Sequence, residues 1–390
     1  MKIAELKTTV VSVPFKEAEF VSTGKRFGVN NVLVELRTDE GLVGLGESPG
    51  RPNAAVMETA IGSCRPFVVG QDPFGIERIV TLLKHLGNWH FFERLGNMAI
   101  AGIEMALWDL VGKATGQPIH RLLGGLVRDR VPCMYYLYRY PLDEMVRRAK
   151  AAAAEGFRSV YFKVGHDTAS DLEAVAAVRE AIGPGVDLRI DANEAWSAGA
   201  AVRIIKQLER FDLEWVEQPT PADDIESLAH VRRAVHTPIA ANQSSWTLPE
   251  VQRVLRADAA DVVVTDQYQS GGLLGYKKAA ALCEASTIPI SHHAWGELGV
   301  GNAAGAHVVA ATPNFTSPGQ SYIPNLADDI IAGGVPRLEG GSLAVPQGLG
   351  LGVELDPDRV ARAAERYRRD GGFAARIAHD PAELPTIPRF

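Results

Sequence analysis

The chain has 390 residues, 46% of them hydrophobic and 22% charged, with three cysteines and a formal net charge of −7 at pH 7. That length exceeds what one ordinary core accommodates and points to two domains, while the composition is that of a globular protein without the roughly 18-residue apolar run a membrane span needs. The acidic balance argues against nucleic acid or an anionic membrane as partner, and three scattered cysteines exclude a disulfide framework or a CxxC zinc site and fit a cytoplasmic location.

The first residues, Met1 to Leu6, lack the apolar block of a secretory signal. Residues 17–31 are poorly patterned and read as a mobile loop. Lys25 and Arg26 within it are candidate contacts for the distal end of a substrate, set against the commoner role of ordinary loop charge. Residues 32–38 and 42–47 read as two strands joined by a turn at Asp39-Glu40-Gly41. Ile100, Ile103, Glu104, Ala106, Leu107, Leu110 and Val111 then recur at helical spacing up to Gly116 and Pro118. Strands followed by helices indicate an α+β domain over residues 1–125.

Beyond residue 126 short apolar runs alternate with helical stretches. The predicted strands cover residues 131–137, 159–164, 187–191, 213–217, 238–241, 261–265, 288–291 and 314–317. Helices are expected at 169–182, 198–211 and 272–285, among others. Eight such units to about residue 355 predict an α/β fold, a TIM-type (β/α)₈ barrel, in preference to a doubly wound sheet. Residues 356–390 read as helical and charged, a solvated segment packing back on the first domain.

The polar residues fall where the strands end. Lys163, Asp191, Glu217, Gln243, Asp266 and His293 are separated by 28, 26, 26, 23 and 27 residues, about one strand–helix unit each time. In a barrel this spacing gathers all six at one mouth. A single polar residue after a strand is usually a helix cap or a loop charge; six in register are harder to explain so. Asp191, Glu217 and Gln243 offer only oxygen and suit a hard cation such as Mg²⁺. His293 beside Asp266 reads as an oriented general base, because the carboxylate fixes the imidazole tautomer. His307 on the following helix reads as structural.

Several segments resemble the successive barrel motifs of the enolase superfamily: Phe162-Lys163-Val164-Gly165, Asp191-Ala192-Asn193, Trp215-Val216-Glu217-Gln218-Pro219, Asp266 with Gly271-Gly272, and His293-Ala294-Trp295. Ile103 to Leu110 with Gly124-Gly125 resembles the helix ending that family's capping domain, and Gly348 to Gly352 its late glycine-rich turn. Asp on the sixth strand with His on the seventh is the mandelate racemase arrangement; muconate-lactonising relatives carry Lys where this chain has Gln269. The resemblance implies a modified barrel under an N-terminal α+β capping domain. It also implies Mg²⁺ holding a substrate carboxylate while a base removes the α-proton, and a homo-oligomer. An α-carbanion beside a carboxylate needs a cation in a water-poor site to exist at all.

Three positions depart from the family pattern. Tyr161-Phe162-Lys163 stands where relatives carry Lys-x-Lys, leaving Tyr161 as an acid or base or as a wall of the pocket. Gln243 stands where Glu is usual, and the preceding Asn242 is an alternative third ligand. The eighth-strand acid is replaced around Gly319-Gln320. With one clear base the economical reaction is dehydration of an acid sugar to a 2-keto-3-deoxy product. His293 abstracts the proton or protonates the departing hydroxyl, with Asp266 orienting it. Racemisation or epimerisation of a 2-hydroxy or amino acid derivative, with Lys163 as second base, is the alternative, and a non-catalytic carboxylate-binding barrel the third reading. Asn193 and Trp295 join Lys25 and Arg26 as candidate substrate contacts; aromatic packing is the competing role for Trp196, Trp246 and Trp295.

Overall fold

The computed structural model describes residues 1–21, 24–86 and 94–373. The capping domain opens with a three-stranded antiparallel sheet, β1 (Ile3–Val21), β2 (Gly24–Thr38) and β3 (Val43–Pro49), in that order. Here the expectation of a loop over 17–31 is overturned. The segment forms the two arms of the β1–β2 hairpin, with Glu19 opposite Arg26 and Phe20 opposite Lys25 beyond a register shift after Pro14. Its pattern was obscure because the buried faces of these arms include Glu19 and Arg26, two charged residues that only a tertiary partner makes tolerable.

Helices α1 (Ala54–Ser63), α2 (Arg65–Val68), α3 (Ile76–Leu86), α4 (Arg94–Thr115) and α5 (Ile119–Leu122) follow. The long α4 lies directly on β3. A Cβ on Gly44 would stand 2.1 Å from Ala106 O, and one on Gly46 1.9 Å from Gly102 O, so only glycine permits this approach. Two acids of α4 fasten the cap to the barrel. Glu104 accepts from the backbone N–H of Leu273 and Leu274 at 2.7 and 2.9 Å, and Asp109 accepts from Leu351 N at 2.8 Å in the glycine-rich turn.

A short strand, β4 (Arg130–Pro132), precedes the barrel strand β5 (Tyr135–Tyr136), so the predicted first strand is split in two. The barrel continues through α6 (Leu142–Ala154), β6 (Ser159–Lys163), α7 (Thr168–Ile182), β7 (Asp187–Asp191), α8 (Ala198–Leu208), β8 (Trp215–Glu217) and α9 (Ile225–Ala234). It is completed by β9 (Ile239–Ala241), α10 (Leu248–Arg256), β10 (Val262–Thr265), α11 (Leu273–Ala285), β11 (Ile290–His292) and α12 (Gly299–Ala310). Side-chain caps set several helix starts: Asp167 for α7, Ser197 for α8, Asp224 for α9, and a Thr247–Glu250 capping box for α10.

Strands β5 to β11 form a seven-stranded parallel sheet in sequential order. The expected eighth strand at 314–317 is reduced to isolated bridges, Phe315 to Ile290 and Gly319 to Cys133, which close the gap between β11 and β5. The fold is thus a modified TIM barrel with a cap. Strand β12 (Leu338–Glu339) pairs with β13 (Ser342–Ala344), which pairs with β4, in a small antiparallel sheet outside it. Helix α13 (Pro357–Asp370) packs on β1, with Arg366 donating to Ser12 O at 2.6 Å. Residues 374–390, the rest of the predicted charged tail, lie outside the described residues. Among the described residues no helix is long and apolar enough to cross a membrane.

Candidate active site

Strand register builds the site. Lys163, Asp191 and Glu217 are direct neighbours across β6, β7 and β8, and the row beneath them is Tyr161, Arg189 and Trp215. Alternation sends both rows to the same face. The upper row stands at the C-terminal ends, where barrel active sites are built. Backbone strain gathers here too: Asn193, Glu194 and Gln218 have φ of 48°, 68° and 36°.

Asp191, 1% exposed, is fully engaged. Its Oδ1 accepts from Asn193 N at 2.6 Å, and its Oδ2 accepts from both Lys163 Nζ and Tyr161 OH at 2.6 Å. Tyr161 is 1% exposed, and burial, then Asp191, push its phenol well above the ordinary range. Its hydroxyl donates to Asp191 and accepts from Lys163 Nζ at 3.1 Å. Glu217 is equally buried; its Oε1 meets Gln320 Nε2 at 3.5 Å, whereas its Oε2 has no partner. Burial first, and Asp191 second, push the Glu217 carboxyl up. Gln243 Oε1 is a second buried acceptor without a partner. Both oxygens lack a partner among the described residues, and an all-oxygen donor set of this kind fits a hard cation such as Mg²⁺. Of the two amides, Asn242 donates through Nδ2 to Val264 O at 3.0 Å, which leaves its Oδ1 uncommitted, so the third ligand is either Asn242 or Gln243. Among the described residues no group of three or more His, Cys, Asp or Glu is placed to hold a metal.

On the other side stands the dyad. His293 Nδ1 lies 2.7 Å from Asp266 Oδ2, and Asp266 is held by Tyr268 N at 2.6 Å and Gln269 N at 2.9 Å on its other oxygen. Trp295 Nε1 also donates to Asp266 Oδ2, at 2.8 Å. The adjacent His292 faces Tyr276 OH at 3.0 Å, and burial lowers it to about 4, so it is a neutral structural residue. His307, also lowered to about 4 by burial, bridges to Leu351 O at 3.1 Å.

Arg26 differs from an open loop charge. It is 5% exposed, paired with Glu19 at 2.5 Å, and stacked over the rings of Phe15 and Tyr322 at 5.2 and 4.8 Å. Lys25 is half-buried near the hairpin tip. Sequence reasoning missed Glu19, Tyr136 and Tyr322. The hydroxyls of Tyr136 and Tyr322 donate to Glu19 Oε1 at 2.8 and 3.0 Å. Burial works against the Glu19 charge, yet Arg26 and Tyr136 hold its carboxyl below the ordinary range. Nothing in spacing marked this cluster, since its members come from the hairpin, the first barrel strand and the loop after the eighth.

Comparison with known proteins returns matches over most of the chain. Residues 144–359 match the model described as Enolase C-terminal domain-like, and residues 4–124 match the Mandelate racemase / muconate lactonizing enzyme, N-terminal domain. The D-galactarolactone cycloisomerase of Agrobacterium fabrum is 32% identical, over 92% of this chain and 98% of that protein. A probable glucarate dehydratase of Streptomyces coelicolor is 30% identical, over 92% of each chain. The crystal structure of an enolase from Thermobispora bispora complexed with magnesium and formate superposes with a TM-score of 0.87. It is 31% identical and covers 95% of this chain and 94% of that one.

Proposed function

The chain belongs to the mandelate racemase/muconate lactonizing enzyme family of the enolase superfamily, and from that premise we propose that it is a Mg²⁺-dependent dehydratase converting an acid sugar to a 2-keto-3-deoxy acid. The family's members are lyases and isomerases, and the chain is an enzyme of that superfamily. The observation supporting the finer reading is the 2.7 Å contact of His293 with Asp266, which orients the imidazole.

Asp191, Glu217 and either Gln243 or Asn242 would hold the metal, which supplies the positive charge that lets a substrate carboxylate take up a second negative charge. His293 accepts the C2 proton at Nε2, the ring nitrogen Asp266 leaves free. Asp266 fixes the tautomer and stabilises the imidazolium. The same proton then passes from Nε2 to the C3 hydroxyl, which leaves as water as the C2–C3 double bond forms; the resulting enol relaxes to the 2-keto acid. The buried site, with Asp191, Glu217 and Asp266 at most 1% exposed, keeps water from competing for the proton. Epimerisation is the second reading and draws on Lys163, 2.6 Å from Asp191, as the second base. The free, buried thiols of Cys64, Cys133 and Cys283 accord with a reducing cytoplasm.

The test is a panel of acid sugars with Mg²⁺ in deuterated water, read for 2-keto product and for deuterium at C2 of recovered substrate. Product with deuterium at C3 supports dehydration. Inversion at C2 without product assigns an epimerase, and neither product nor exchange across the panel overturns the proposal.

A further inference from the structure

The loop after β11 is gripped by the capping sheet at several points. Arg26 Nη1 donates to Trp295 O at 3.2 Å and Asn31 Nδ2 to Gly296 O at 3.0 Å, while Glu47 accepts from Leu298 N at 2.7 Å and Gly301 N at 2.8 Å. Gly296 has φ 96°, and a Cβ there would meet Val29 Cγ1 at 2.5 Å, so β2 lies against this loop as closely as backbone allows. Arg26 is itself held by Glu19 and by the Phe15 and Tyr322 rings.

From that loop Trp295 turns its indole back to the dyad. Its N–H donates to Asp266 Oδ2, the same oxygen that faces His293 Nδ1. Its ring stands edge-on to the His293 ring with centroids 4.9 Å apart, and Trp246 braces it from behind at 5.4 Å. We infer that Trp295 is a positioning residue for the His293–Asp266 pair and that the capping hairpin sets it, so that docking of the cap and orientation of the base are one structural event. This rests on His293 being the base of the proposed reaction.

The physical reason lies in the shared oxygen. A donor to a carboxylate lowers its basicity, so the indole N–H tempers the pull of Asp266 on the imidazolium and keeps the proton on His293 transferable. Asp266 Oδ2 also comes within 3.3 Å of the Gln269 amide in the orientation that satisfies both ends of that side chain. The other ionisable neighbours whose charge Asp266 influences are Glu297, His292, Tyr268 and Tyr276.

The experiment follows the ring rather than turnover. In the full chain with isotope-labelled histidine, His293 is assigned by its loss in His293→Asn and titrated by NMR. In Trp295→Phe, which keeps the wall but lacks the N–H, the His293 midpoint is expected to move upward by on the order of half a unit. Arg26→Lys, which keeps a charge for Glu19 but shortens the reach to Trp295 O, is expected to move it in the same direction by less. No movement in folded Trp295→Phe overturns the positioning role; movement there but none in Arg26→Lys overturns the part given to the cap. In the wild type, the Trp295 indole N–H resonance is expected to follow the His293 titration, and its indifference would overturn the proposal without any variant. Because no substrate is used, these outcomes stand apart from success or failure of the dehydration assay.

Discussion

As a ligand of the proposed metal, Gln243 would set the charge of the pocket before any substrate arrives. With Asp191 and Glu217 as the only acids in the set, the ligands carry one negative charge fewer than three carboxylates would. That weakens the hold on a divalent ion but leaves more positive potential for a developing dianion. Gln243→Glu is therefore expected to tighten Mg²⁺ binding by about tenfold or more, measured by isothermal titration; an unchanged Kd would remove Gln243 from the ligand set. His293→Asn retains size and one donor but no base, and exchange of the α-proton is expected to fall by at least about 10³-fold. Both positions were legible from their place at strand ends. The orphaned oxygens of Glu217 and Gln243 were not, because side-chain direction depends on which neighbour has already claimed each donor.

Among the elements, α4 is the joint between domains. Glu104 satisfies two N–H groups at the start of α11, whose cap residue Gly272 has no side chain to do so. Glu104→Ala strands those donors in a buried seam and is expected to cost about 2–4 kcal/mol, read from urea unfolding. A loss below about 0.5 kcal/mol would mean that water replaces the carboxylate. The helical period of α4 and the strand–helix alternation of the barrel were plain in the sequence, since each amphipathic element repeats its own burial pattern. The β1–β2 hairpin was not, and neither was the reduction of the eighth strand to two bridges. In both, the ladder partner and the buried face lie far along the chain.

Across the molecule, four carboxyls are buried along the seam of cap and barrel, Glu104 at the start of α11 and Glu47, Glu297 and Asp329 around the start of α12. Burial raises Glu47 and Glu104 to about 7, Glu297 to about 8 and Asp329 to about 6. Each binds its proton more tightly folded than unfolded, so the folded chain holds more protons in the intervening range. Their contribution is complete below the unfolded values and is lost as pH rises through the folded ones. Thermal stability is expected to fall from about pH 6.5 to pH 8, above the range in which the lowered His292 and His307 act in the opposite sense, by up to about 1.4 kcal/mol per pH unit for each group; a Tm that rises over that interval would show these acids ionised throughout.

The order and chemistry of the strand-end residues, and with them the barrel and its superfamily, were determined by the sequence alone, because register and periodicity are local properties repeated along the chain. What joins the hairpin to the mouth was decided only by the tertiary structure. Glu19 and Arg26 of the hairpin, Tyr136, Tyr322 and Trp295 come from four separate stretches, and no spacing rule links them. Burying that charge pair is favourable only once every partner has arrived, so the cluster exists as a property of the assembled fold and of no segment within it.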